Sequence, residues 1–254
     1  MILDQFKLDG KVAIVTGSRR GLGQGMAVGL AEAGADIVAF DRSDPVETGV
    51  QVRALGRRFM HVPVDLAQAD QALMRQLVQR VVDEWGHVDI LLNNAGNIHR
   101  QPALDHTQEG WLGVLQVQLN ASFYLCQAAA RHMAAQKRGK IINIASMLSF
   151  QGGINVISYA AAKSGVAGMT RGLANEWAPL GINVNAIAPG YMATDMTDTL
   201  VHDPVRNPQI LARIPAGRWG TPQDLKGAAV FLASAASDYL QGVIIPVDGA
   251  WLTR

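Results

Sequence analysis

Two side chains in the run Ser158-Tyr159-Ala160-Ala161-Ala162-Lys163 could exchange a proton, and their spacing sets how. Tyr159 and Lys163 stand four residues apart in an alanine-rich stretch, Ser158 to Trp177, that reads as helix. Side chains four apart on a helix lie one above the other on the same face, so a phenol and an ammonium share that face. A free phenol titrates near about 10, too high for exchange at neutral pH. A neighbouring cation favours the phenolate and lowers that value, toward the range of a general acid-base group. Ser146 offers a hydroxyl for the same reaction. It follows the β-branched run Lys140 to Ala145 and so stands at the carboxyl end of a strand. Ser149 is the competing hydroxyl, and register favours Ser146. An ordinary helix with one packed Tyr and one exposed Lys would look the same, so the elements around the pair must decide.

Those elements alternate strand and helix. Lys11 to Thr16 is an apolar β-branched run, the mark of a strand buried on both faces. It ends in Gly17-Ser18-Arg19-Arg20-Gly21-Leu22-Gly23. A helical pattern from Gln24 to Ala33 stops at Gly34, and a second strand, Asp36 to Phe40, closes on Asp41. Strand, glycine loop, helix, strand and acid in this order bind a dinucleotide. Glycines let the backbone approach a pyrophosphate whose charge sits at the helix N-terminus. Asp41 would accept bonds from ribose hydroxyls and repel a 2′-phosphate, which favours NAD. Arg19, Arg20 and Arg42 lie close enough in sequence to cradle that phosphate instead, so NADP stays open.

Further strands are expected at Phe59–Val64, ending at Asp65-Leu66, at Val88–Leu92, at Ile182–Ala188 and at Val243–Val247. Helices are expected at 45–55, at Gln68–Trp85, as one long helix over Gly110–Gln136, and at Thr221–Ala233. Asn120 falls inside the long helix, an odd place for a short polar residue. Asp65 reads equally well as the N-cap of the next helix. The segment 191–220 is polar and irregular, and a segment of that length in a compact domain is often a lid.

Composition narrows the class. The chain has 254 residues, 49% of them apolar, and a net charge of +1. No basic run suggests nucleic acid. One cysteine, Cys126, excludes an internal disulfide and suits a reducing, cytoplasmic compartment. Residues 1–10 lack the pattern of a secretory signal, and no apolar run is long enough for a bilayer. The six histidines show no metal-ligand spacing, so no metal is expected. Nothing divides the chain, which reads as one α/β domain over 1–254.

The glycine spacing in TGSRRGLG, together with Asn93-Asn94-Ala95-Gly96, Ser146 and the Tyr-xxx-Lys pair, resembles the short-chain dehydrogenase/reductase family. The resemblance covers the whole chain. It implies a single-domain Rossmann fold: a seven-stranded parallel, doubly wound sheet with helices on both faces. It also implies NAD(P)-dependent interconversion of a secondary alcohol and a ketone. Carried over residue by residue, Ser146 and Tyr159 would hold the reacting oxygen. Tyr159 would move its proton, and Lys163 would lower the Tyr pKa and hold the nicotinamide ribose. Asn120 would anchor a water that completes a proton relay. The cofactor would lie on Gly17, Arg19, Arg20, Gly21, Leu22, Gly23, Asp41, Asp65, Leu66, Asn94, Ala95 and Gly96. It would also touch Pro189, Gly190, Met192 and Thr194 of the loop after the sixth strand, with Ile187 or its neighbours against the nicotinamide.

The runs around Ser146, Pro189 and Arg213–Gly220 are similar to members that act on sugar acids. For such a substrate Arg100 would pair the carboxylate and Gln151 would meet hydroxyls, while Arg213 and Arg218 would serve the lid or a subunit contact. An acyl-carrier-protein reductase shares the catalytic set but is expected to prefer NADPH and a basic docking face. A dinucleotide-binding regulatory protein is expected to lack Tyr159 or Lys163. Family members are commonly homotetramers, and the apolar run Trp251-Leu252 fits burial between subunits.

Overall fold

The computed structural model describes residues 1–254. Its strands are β1 (Val12–Thr16), β2 (Asp36–Asp41), β3 (Phe59–Pro63), β4 (Ile90–Asn93), β5 (Gly139–Ile144), β6 (Ile182–Pro189) and β7 (Ile244–Val247). Its helices are α1 (Gly21–Glu32), α2 (Val46–Ala54), α3 (Gln71–Trp85), α4 (Gln108–Leu115), α5 (Ala121–Gln136), α6 (Ile157–Trp177), α7 (Asp198–Val201), α8 (Arg206–Leu211) and α9 (Pro222–Ala233). All strands run parallel in one sheet of order β3-β2-β1-β4-β5-β6-β7.

The alternation of side chains along a strand divides the core in two. Val12 and Ile14 face Met74, Val78, Leu125 and Met133 of α3 and α5. Ala13 and Val15 face Met26 and Leu30 of α1 and Leu225 and Leu232 of α9. Both faces are covered, which is why the central strands read as unbroken apolar runs. The chain winds outward from β1 to β3, then returns to place β4 on the other side of β1. At such a reversal the loops diverge and leave a crevice at the carboxyl ends of the strands. The glycine loop follows β1, the Asn-Asn-Ala-Gly stretch follows β4, and Ser146 follows β5, so all three reach that crevice.

One expectation changes. The helix expected to be continuous over 110–136 is broken by a π-helical segment, Gln116–Asn120, between α4 and α5. A π turn holds an extra residue, rotates the faces that follow it, and occurs often at functional sites. The segment 191–220, read as a lid with some helix, carries α7 and α8. A bridge between Met192 and Gly220 closes its base, and Tyr191 packs edge-on against Trp219 and Trp251, with centroids 5.4 and 4.7 Å away. Arg213 lies 3.9 Å over the Trp251 ring. Arg218 forks onto Asp224 in the first turn of α9 at 2.8 and 2.7 Å. Trp251 is buried within the chain by Met147, Ile210 and Ile214, so its burial needs no second subunit. No helix is long and apolar enough to cross a membrane.

Candidate active site

A cavity of about 700 Å³ opens along the crevice. It is lined by Gly17, by Arg19 to Gly23, by Asp41, Asp65, Leu66, Asn94, Ala95 and Gly96, and by Pro189, Gly190, Met192 and Thr194, with Ser146, Tyr159 and Lys163 at the same wall. Ile187 is not among them. It is fully buried in the core beneath, and the loop that follows it provides the lining.

The glycine loop fits a dinucleotide. Gly17 has φ +67°, and a Cβ on Gly23 would come within 2.0 Å of the Gly17 carbonyl oxygen. The loop therefore passes so close to itself that side chains are excluded. α1 has no side-chain cap, which leaves first-turn amides at the cavity for an anion. Asn94 fixes the loop from the neighbouring strand: its Nδ2 donates to the Thr16 and Gly17 carbonyls at 3.1 and 2.9 Å. Asn93 has a structural place, donating to Asn143 Oδ1 at 2.9 Å in the core.

Asp41 lines the cavity and has a second use in the glycine loop. It is 7% exposed, and its carboxylate accepts from Ser18 N at 3.0 Å, Ser18 Oγ at 2.7 Å and Arg19 N at 3.3 Å. Burial raises its pKa against those bonds. The carboxylate thus braces the glycine loop as well as facing the cavity. Asp65 both lines the cavity and caps a 3-10 turn by accepting from Ala67 N at 3.0 Å. The helix α3 has its own cap, Asp70.

At the reacting end the two serines separate. Ser149 Oγ donates to the Lys163 carbonyl at 2.7 Å, beneath α6. Ser146 Oγ accepts from Leu148 N at 3.1 Å and remains on the cavity wall. Lys163 is 4% exposed and donates its Nζ to the Ile144 carbonyl at 2.6 Å. Burial lowers its pKa to about 7. Burial raises that of Tyr159, opposed by the Ser146 hydroxyl and by the Arg100 charge. The expected lowering of the phenol by Lys163 is therefore corrected. Lys163 Nζ lies 5.6 Å from the Tyr159 ring centroid, but burial outweighs the effects that favour the phenolate, among them the Arg100 charge.

Asn120 is not brought to the site. It is exposed, and its Nδ2 donates to Gln116 Oε1 at 3.1 Å on its own helix. The polar side chain that the π segment turns inward is Gln118, which sequence reasoning missed. Gln118 is 2% exposed and lines the cavity. Its Nε2 donates to the Asn97 carbonyl at 2.7 Å, and its Oε1 is buried without a partner. The signal was a glutamine at an otherwise apolar helical position. Gln151 also lies off the cavity wall, where its Oε1 accepts from Trp251 Nε1 at 3.4 Å. Arg100 is not part of the cavity lining, but it donates to the carbonyl of Met196, which is, at 3.5 Å.

A crevice at the strand ends, a glycine cradle and a Ser-Tyr-Lys wall define an NAD(P)-dependent oxidoreductase, and the family model described as "short chain dehydrogenase" matches residues 11–204. The chain belongs to the short-chain dehydrogenase family, whose members act on CH–OH groups. It is 58% identical over 255 residues to the 2-dehydro-3-deoxy-D-gluconate 5-dehydrogenase of Escherichia coli K12, covering 100% of both chains. It is 51% identical to the Bacillus subtilis 168 enzyme of the same name, covering 99% of this chain and 98% of that one. The crystal structure of a gluconate 5-dehydrogenase from Burkholderia cenocepacia J2315, in complex with NADP and tartrate, superposes with a TM-score of 0.94 at 41% identity over 100% of each chain.

Proposed function

We propose that the protein is an NAD(P)-dependent 2-dehydro-3-deoxy-D-gluconate 5-dehydrogenase, interconverting a secondary alcohol and a ketone on a six-carbon sugar acid. The observation that carries this reading is the meeting of Ser146, Tyr159 and Lys163 on the wall of a dinucleotide-sized cleft. The end-to-end likeness to enzymes of that name supports the substrate.

Bound NAD(P) supplies the hydride acceptor. Ser146 and Tyr159 hydrogen-bond the reacting oxygen, and Tyr159 takes the hydroxyl proton. Lys163, an amine that titrates near about 7, passes protons at neutral pH and holds the nicotinamide ribose. Gln118 takes the relay place expected of Asn120: its unpartnered Oε1 accepts the proton chain from the Lys163 side. Arg100 pairs the substrate carboxylate and supports the ionised phenol. Residues 191–220 form the substrate lid of a single catalytic domain. NAD was the expected cofactor. Asp41 spends its carboxylate on Ser18 and Arg19, and Arg19 and Arg42 line the same end of the cavity without an ion pair, which supports use of NADP as well.

Exposed Leu112 of α4, Ile157 of α6, and Leu104, Phe150 and Ile154 of the segments leading into those helices are apolar surface that a homotetramer would cover; light scattering tests the assembly. A panel of sugar acids with NAD and with NADP tests the reaction. Tyr159→Phe is expected to lower kcat by about 10²–10⁴-fold while dinucleotide binding stays within about threefold. Retention of near-wild-type kcat would remove Tyr159 from the chemistry.

A further inference from the structure

Arg20 and Asp195 come from opposite walls of the cleft. Arg20 precedes α1 in the glycine loop, and Asp195 lies in the segment that leaves β6. Both line the cavity, and Arg20 Nη1 stands 2.5 Å from Asp195 Oδ2. The segment around Asp195 holds its own shape. Thr197 Oγ1 donates to the Met192 carbonyl at 2.5 Å and accepts from Thr194 N at 3.0 Å. The turn so formed touches the glycine loop, since the methyl of Thr194 would lie 3.8 Å from a Cβ on Gly21. On its other side the Met196 carbonyl accepts from Arg100. Residues 192–197 thus span the mouth of the groove from the loop after β1 to the loop after β4.

Asp195 is a charge out of place in a cavity built for a polyanion. A free carboxylate at that rim would repel phosphates, and only its pairing with Arg20 neutralises it. No other side chain in the structure pairs with Arg20. We propose that Asp195 is a positioning residue for the dinucleotide: through Arg20 it straps residues 192–197 across the groove and slows release of the bound cofactor. This rests on the reading of the cleft as a dinucleotide site. Arg20 belongs to the glycine loop expected to receive the pyrophosphate, so the strap fastens the start of the lid segment to that loop.

The test is the dissociation rate of NADH and of NADPH, followed by stopped-flow fluorescence on the full chain. Asp195→Asn keeps size and removes charge, and Asp195 is exposed, so folding is undisturbed. An exposed pair contributes less than about 1 kcal/mol, which sets an expected rise in dissociation rate of about two- to fivefold with the association rate nearly unchanged. Asp195→Glu is expected to restore the slow rate. Raising salt from about 0.05 to about 0.5 M screens an exposed pair, so the ratio of the Asp195→Asn rate to the wild-type rate is expected to shrink toward one. A dissociation rate that is unchanged or slower in Asp195→Asn would overturn the strap, because the acid would then only repel the cofactor. No fluorescence change with the wild-type protein would overturn the dinucleotide reading itself, and the strap with it.

Discussion

Lys163 reaches back across the base of the site to donate its Nζ to the carbonyl of Ile144 at 2.6 Å. That bond joins the second turn of the catalytic helix to the last residue of β5. Ser146 stands two residues beyond that strand end, so one contact fixes the distance between the helix that carries Tyr159 and the strand that delivers the serine. It also leaves the amine buried with a single acceptor, and burial sets its pKa.

Stability should report the buried amine. The Lys163 pKa is lowered to about 7, against about 10.4 in an unfolded chain. Between these values the unfolded chain holds the proton and the folded chain does not, so stability rises with pH through that window. Below about 7 both forms are charged and the burial cost is present in full. The difference in unfolding free energy between the wild type and Lys163→Met should therefore move in favour of the wild type from pH 7 to pH 10. Denaturant melts across that range measure it, and a flat difference would contradict a buried neutral amine.

The pH profile should report Arg100. Its charge lowers the Tyr159 pKa against the larger effect of burial. Alcohol oxidation needs the phenolate, so kcat should rise along an alkaline limb set by this group. Arg100→Met removes the cation and should shift that limb to higher pH. With a sugar acid the same variant should raise KM by at least about tenfold, since a hydrogen bond to a charged group contributes roughly 1.5–3 kcal/mol. An unmoved limb would detach Arg100 from Tyr159.

Gln118 and Asn120 should behave as opposites. Gln118→Leu removes the buried, unpartnered Oε1 from the cavity wall and should lower kcat by about tenfold or more. Its loss of one bond to Asn97 should cost about 1 kcal/mol of stability. Asn120→Ala, at an exposed position, should leave kcat within about twofold. Steady-state kinetics on both variants, with thermal melts, decides between them.

Gly23→Ala should separate binding from chemistry. The new methyl would meet the Gly17 carbonyl oxygen at 2.0 Å and Asn94 Nδ2 at 2.3 Å. Overpacking of this kind costs about 1–3 kcal/mol, and the loop must shift where the pyrophosphate is expected. Dinucleotide titration should show affinity lost by more than about tenfold, and the melting temperature should fall.

The order of motifs along the chain was enough to find the sheet, the switch point and the glycine, serine and tyrosine-lysine walls of the cavity. The reason is local. A buried parallel strand must be apolar throughout, a self-crossing loop must be glycine, and a strand's last residue delivers the next one to the rim. Tyr159 and Lys163 share a helix, so their spacing alone puts them on one face.

The remaining decisions belonged to tertiary packing. A single π turn rotates α5 relative to α4, so that Gln118 enters the cavity and Asn120 leaves it, and helical periodicity does not reveal such a turn. Whether Asp41 faces a ribose or braces Ser18 depends on how closely β2 passes the glycine loop. The depth at which α6 lies against β5 makes burial outweigh the neighbouring charge, raising Tyr159 and lowering Lys163. Arg100 and Asp195 reach the site across 59 and 36 residues of chain counted from Tyr159. Separation in sequence carries no distance, so only the folded chain could bring those charges to the cleft.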